Sequence, residues 1–164
     1  VSVIVDIQTI SIAIASAGVL LAAIYYVLQV RHQTKLRQTD MVMRLYTTFG
    51  STEFQKAYQK MMSVEFEDYA DYVKRYATSN IEVLAASYSV GVFFEGIGVL
   101  VKRKLISMDL VDDLFTIPIL DTWEKMKPLV EGRRERLKRP QALEWFEYLY
   151  NEMKKREQKL QSQA

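Results

Sequence analysis

From Ile7 to Val30 the chain carries no charged side chain, an uninterrupted run of twenty-four residues. A hydrocarbon core of about 30 Å is crossed by roughly 20 helical residues at 1.5 Å each, so this run predicts a transmembrane helix within residues 1–30. The pattern then changes. Nothing breaks a helix between Arg31 and Phe49, which predicts a cytosolic extension over 31–50 with Gly50 as its stop. Thr52-Glu53-Phe54-Gln55 reads as a capping box opening a short helix to about Met62. Glu65 to Tyr76 reads as another, acidic at its start and basic at its end, as the helix dipole favours. Ser79-Asn80-Ile81-Glu82 is a second capping box and opens a long apolar helix to about Lys104. Ser107 caps a further short helix. Pro118 starts the next, which reaches about Leu137 with a kink expected at Pro128. Pro140 or Gln141 opens the last, where Leu143, Phe146, Leu149, Tyr150 and Met153 share one face. Trp145 and Tyr148 lie off that stripe and suggest a second contact surface, from the domain or from a partner. After Met153 the sequence is polar and is expected to fray.

These elements define an all-α fold: one N-terminal transmembrane helix continuing into a cytosolic bundle of about five to six helices. The helical domain spans 51–155 and a polar tail 156–164. No segment shows the two-residue alternation of a strand.

Within the first apolar run, Ser11, Ala15, Gly18 and Ala22 are spaced 4, 3 and 4 and so share one helix face. Small residues mark packing faces in lipid, where apolar surface alone provides little drive for helices to associate. The same spacing continues through Tyr25, Gln29 and His32, giving a predicted homo-oligomer face of seven residues. Gln29 and His32 can hydrogen-bond across a helix pair, or line a polar path if the oligomer opens at its axis. Asp6 alone precedes the run, whereas Arg31, Lys35, Arg37 and Arg44 follow it. The positive-inside rule therefore puts the amino terminus outside, on a very short tail, and the carboxyl side in the cytoplasm of a cell-membrane protein. Ala13-Ile14-Ala15 and Ala15-Ser16-Ala17 resemble signal cleavage sites, but no basic segment precedes them and the apolar run continues well beyond. The first residue is Val and not Met, as in a chain trimmed, processed or incomplete at its start.

A second apolar stretch, Val83 to Val101, raises the question of a second span. Glu95 sits in its middle, where a carboxylate in lipid costs about 2.5–3.5 kcal/mol on insertion scales. A second crossing would also place Lys102, Arg103 and Lys104 outside. The stretch reads instead as the central helix of the core, with Gly91, Gly96 and Gly98 allowing close approach of its neighbours. Glu95 then becomes a buried carboxylate that must be paired, hydrogen-bonded or protonated.

Composition and charge narrow the chemistry. The 164 residues include no Cys and one His and carry a net charge of +2. A disulfide framework, a thiolate metal site and a Cys nucleophile are thereby excluded. His32 sits at the membrane exit without a recognisable partner, and Gly96-Ile97-Gly98 lacks the flanking strand and Gly-Lys-Ser/Thr of a phosphate loop. Asp109, Asp112 and Asp113 read as the acidic start of a helix. No catalytic residue, metal site or cofactor is expected, and the balanced charge argues against nucleic acid. The densest charge is Arg133-Arg134-Glu135-Arg136-Leu137-Lys138-Arg139. Its cations Arg133, Arg134, Arg136, Lys138 and Arg139, with Arg31, Lys35 and Arg37, are candidate contacts to anionic lipid. The alternative is a solvated helix end paired with Glu131 and Glu135.

Leu45-Tyr46, Phe49, Glu53-Phe54, FFEGIGVLVKRKLIS, Leu114-Phe115, Trp123, Pro128 and WFEYLYNEM occur in this order. Together they resemble an uncharacterised prokaryotic family with one amino-terminal membrane helix and a helical domain of unknown function, over roughly residues 7–155. The resemblance implies a membrane-anchored, mostly helical cytosolic domain and brings no activity, cofactor or catalytic residue. The expected role is a scaffold or accessory protein that self-associates through its first helix and binds a partner, such as a larger membrane complex, through its domain. The alternative is a pore- or transport-forming oligomer with Ser11, Gln29 and His32 facing the axis.

Overall fold

The computed structural model describes residues 6–77 and 79–162, so the first five residues of the predicted span and the last two of the predicted tail lie outside the described residues. Among the described residues the fold is all-α, with six helices, and the chain divides into two compact units, Val1–Asp40 and Met41–Ala164.

The first unit holds most of α1 (Ile7–Phe49). Four of its hydroxyls do not interrupt it, because they bond back to the helix's own backbone. Ser11 and Ser16 donate to the carbonyls of Ile7 and Ile12, and Thr34 and Thr39 to those of Val30 and Lys35. Such back-bonding satisfies a polar side chain without any outside partner.

The second unit begins with the end of α1, where Val42 is buried and Met41, Leu45 and Phe49 pack against the core. Helix α2 (Thr52–Ser63) follows, then α3 (Tyr69–Tyr72), which widens into a π-helical turn at Val73–Ala77. Helix α4 (Ile81–Lys102) is the centre, in contact with α2, the π-turn and α6. Its buried residues Val83, Ala86, Val90, Phe94, Ile97 and Val101 recur every three or four positions, the spacing of a core-facing stripe. Helices α5 (Met108–Leu137) and α6 (Glu144–Gln161) close the bundle.

Several predicted boundaries move. Ser51, one residue earlier than expected, caps α2 by accepting from the Phe54 N–H. Asn80 rather than Ser79 caps α4, and the Glu82 carboxylate pairs with Lys60 instead of closing a capping box. Helix α3 starts at Tyr69, where Asp68 caps it, and not at Glu65. The two helices expected around Pro118 are one, α5, with Pro118 and Pro128 inside it. Each proline removes a donor and crowds the preceding turn. The helix persists because buried residues anchor it to the core on both sides of each proline: Phe115 and Ile119 around Pro118, Met126, Leu129 and Val130 around Pro128. Helix α6 starts later than expected, with Leu143 as its N-cap in the left-handed region at φ 55°. It also runs to Gln161 rather than fraying after Met153. Ion pairs hold this polar part: Arg156 reaches Asp109 at 2.8 Å and Asp112 at 3.2 Å on α5, and Lys154 reaches Glu124 at 3.2 Å. The acidic start of α5 is thus a docking point for α6. Among the described residues no cluster of His or carboxylates has the arrangement of a metal site.

Candidate functional site

Helix α4 carries a second apolar stripe opposite its core face. Ile81, Leu84, Ala85, Tyr88 and Val92 recur at helical spacing, and Ile81 and Tyr88 are 76% and 64% exposed. This stripe forms one wall of a cleft of about 480 Å³. Met126, Leu129 and Val130 of α5 line it, Tyr69 and Tyr72 of α3 flank it, and Leu143 lies beside them. Ala85 and Gly91 also line it, and at Gly91 the neighbours come close: a Cβ there would lie 3.2 Å from both Leu143 and Met126.

Tyr72 and Ser87 bring the polar atoms. Their hydroxyls lie 2.8 Å apart, and the Ser87 hydroxyl also donates to the Val83 carbonyl at 2.8 Å. Burial pushes the Tyr72 phenol above its ordinary pKa, with the Ser87 hydrogen bond and nearby Arg133 working the other way. Arg133 is the only charged residue among those lining the cleft, and no carboxylate lines it. Next to it, the Arg136 guanidinium lies 5.7 Å from the ring centroid of Tyr69.

The predicted lipid-contact cluster therefore divides. Arg133 opens onto the cleft, Arg136 stacks on Tyr69, and Lys138 and Arg139 are exposed at the end of α5. Lys138 stands in the left-handed region at φ 53°, where it ends the helix. Arg134 turns inward: it donates to the Ala142 carbonyl at 2.8 Å and to Glu147 at 2.6 Å, and its side chain is 17% exposed. Arg31, Lys35 and Arg37 are exposed on α1. So are Ser11, Ala15, Gly18, Ala22, Tyr25, Gln29 and His32, and a Cβ built on Gly18 meets nothing within 4 Å.

Glu95 is half-buried and has a structural partner. Leu143 offers no side-chain cap to α6, and Glu95 of α4 supplies one across the bundle by accepting from the Phe146 N–H at 2.7 Å. It is a cap in trans, satisfying a donor that a helix start leaves free. Desolvation raises its pKa above the ordinary value of 4.5, although the hydrogen bonds from Phe146 and Trp145 pull it down. A raised folded-state pKa stabilises below the unfolded value, and that contribution fades as pH rises through the folded one. Glu95→Gln, which keeps an acceptor and loses the charge, is therefore expected to flatten the decline of stability from acid toward neutral pH. Glu95→Ala loses the cap together with the carboxyl, and is expected to cost about 1 kcal/mol at acid pH and less toward neutral pH. Urea midpoints at pH 4.5 and 7.5 check both; parallel shifts for Glu95→Gln would overturn the charge argument.

Trp145 and Tyr148, off the core stripe of α6, meet α4 of the same domain. Lys102 lies 4.8 Å from the Tyr148 ring centroid and 5.8 Å from that of Trp145. The cleft itself escaped the sequence reading. Its one visible signal was the second stripe Ile81, Leu84, Tyr88 and Val92, hidden because α4 is apolar nearly all round.

The family model for a domain of unknown function, DUF4760, matches residues 12–153. The chain belongs to the DUF4760 family. The match covers α1 from its sixth residue and the whole cleft, so the DUF4760 domain includes the long apolar helix as well as the bundle. No curated protein and no solved structure matches the chain.

Proposed function

We propose that this DUF4760 protein is a single-pass membrane protein, amino terminus outside, whose cytosolic helical domain is a scaffold or accessory binding module. In this reading its first helix mediates self-association. The observation that carries the proposal is α1: it is long and apolar enough to cross a membrane, and none of its most apolar stretch is buried by the protein itself. So much exposed apolar surface needs a lipid or protein cover. Helix α4 also passes the length and composition test, but close to half of its apolar stretch is buried in the bundle. That supports one span, and the basic flank Arg31, Lys35 and Arg37 supports its orientation.

The small-residue face supports self-association, and Gly18 makes it testable. Because nothing lies within 4 Å of a Cβ at that position, Gly18→Leu carries no steric cost within one chain. The expected result is a defined oligomer in mild detergent by light scattering, converted to a smaller species by Gly18→Leu. A monomer for both proteins would overturn self-association and leave anchoring as the role of the helix.

A further inference from the structure

We propose that the cleft between α4 and α5 binds a single-chain anionic amphiphile, of the fatty-acid class, with its hydrocarbon tail along α4 and its acidic head at Arg133. This goes beyond the anchoring and self-association above and stands on residues of the helical domain alone.

Three observations carry it. The cleft's volume of about 480 Å³ lies within the range of about 300–1,000 Å³ typical of small-molecule sites. Its wall is long: from Ile81 to Val92 the α4 stripe rises about 16 Å at 1.5 Å per residue, which suits an extended chain. The walls are aliphatic and aromatic, and the Tyr72 and Ser87 hydroxyls are already bonded to each other, so little polar capacity awaits a compact polar ligand.

Charge then decides the head group. Arg133 is the sole charge among the lining residues, with Arg136 beside it on Tyr69. A guanidinium holds a carboxylate through paired N–H donors. A cationic amphiphile would find no counter-ion in this cleft. A single cation and a space of this size favour one chain with one acidic head over a two-chain lipid. The exposed Ile81 and Tyr88 leave the groove open along its length for entry from solvent or a nearby bilayer.

The test uses the full chain in phosphatidylcholine nanodiscs with a diazirine-bearing palmitate, and maps the photolabelled peptides. Saturable labelling of the peptides carrying Tyr88 and Leu143 is expected, with the half-saturating concentration raised about tenfold by Arg133→Gln, the loss of one charge-assisted contact. Ala85 is exposed and lines the cleft, so Ala85→Trp should fill it and abolish the label while leaving thermal unfolding unchanged. Labelling confined to α1 and indifferent to both variants would overturn the proposal, as simple partitioning into the bilayer. Equal labelling by a diazirine-bearing alkyltrimethylammonium would overturn the assignment of an acidic head. An unlabelled cleft in which Tyr88→Cys links two copies through a disulfide would overturn it in favour of a second chain. Gly18→Leu has no bearing on any of these outcomes, so failure here and failure of self-association are separate.

Discussion

Gly98→Ala is expected to destabilise the helical domain by about 3 kcal/mol, at or beyond the upper end of the usual overpacking cost. A Cβ at Gly98 would lie 2.1 Å from the carbonyl oxygen of Trp145 and 2.5 Å from its carbonyl carbon. Those are backbone atoms of α6, so no rotamer change relieves the clash; the helix must move. Displacing it disturbs three things at once: the Glu95 cap on Phe146, the Phe94–Phe146 stack and the fully buried Leu149. Gly96 is the internal control. It lies two residues away on the same helix, and a Cβ there meets nothing within 4 Å. Gly96→Ala removes a poor helix former at no steric cost and is expected to stabilise by about 0.5–1 kcal/mol. Urea unfolding followed by tryptophan fluorescence checks the pair. Midpoints moving in the same direction would mean that α4 and α6 do not approach as closely as described.

That pair also shows where the sequence was legible. Glycine spacing in the Val83–Val101 stretch pointed to close packing. It could not say which of Gly91, Gly96 and Gly98 faces a backbone, because that depends on where α6 crosses. The core stripes of α4 and α6 followed from periodicity alone, since burial imposes a helical repeat on apolar positions. Boundaries were harder wherever two caps competed. Ser51 and Thr52 are adjacent, as are Ser79 and Asn80, and in each case the Glu or Gln of the expected box finds a partner in another element: Lys60 for Glu82, and the Phe49 carbonyl for Gln55. Pro118 misled for a related reason, because local propensity marks a break whereas tertiary packing carries α5 through it. Glu95 was recognised as a carboxylate needing a partner, but that partner is a backbone N–H, and backbone leaves no signature in a sequence. The cleft was least visible, because its lining comes from α3, α4, α5 and the segment before α6, which meet only once the bundle has formed.

Phe94→Ala should be the most damaging core substitution, at about 3–5 kcal/mol, the usual cost of truncating a buried Phe. Phe94 is fully buried and joins two aromatic groups. On one side it stacks on Phe146 at 5.0 Å, and Phe146 in turn meets Trp123 edge-on at 5.0 Å. On the other it meets Phe93 at 5.3 Å and Phe49 at 6.3 Å. The ring thus connects the end of α1 with α4, α5 and α6, and each such aromatic pair adds about 0.5–1.5 kcal/mol beyond area burial. A domain of ordinary stability, about 5–15 kcal/mol, would lose a large share of it. Phe94→Leu keeps most of the volume and removes the stacking, so its cost should stay within about 1.5 kcal/mol. The double variant Phe94→Ala/Phe146→Ala separates packing from simple burial, because contacting residues do not add. Its cost should fall below the sum of the single costs, the second truncation removing a contact the first has already broken. Strict additivity would mean that the two rings do not stack.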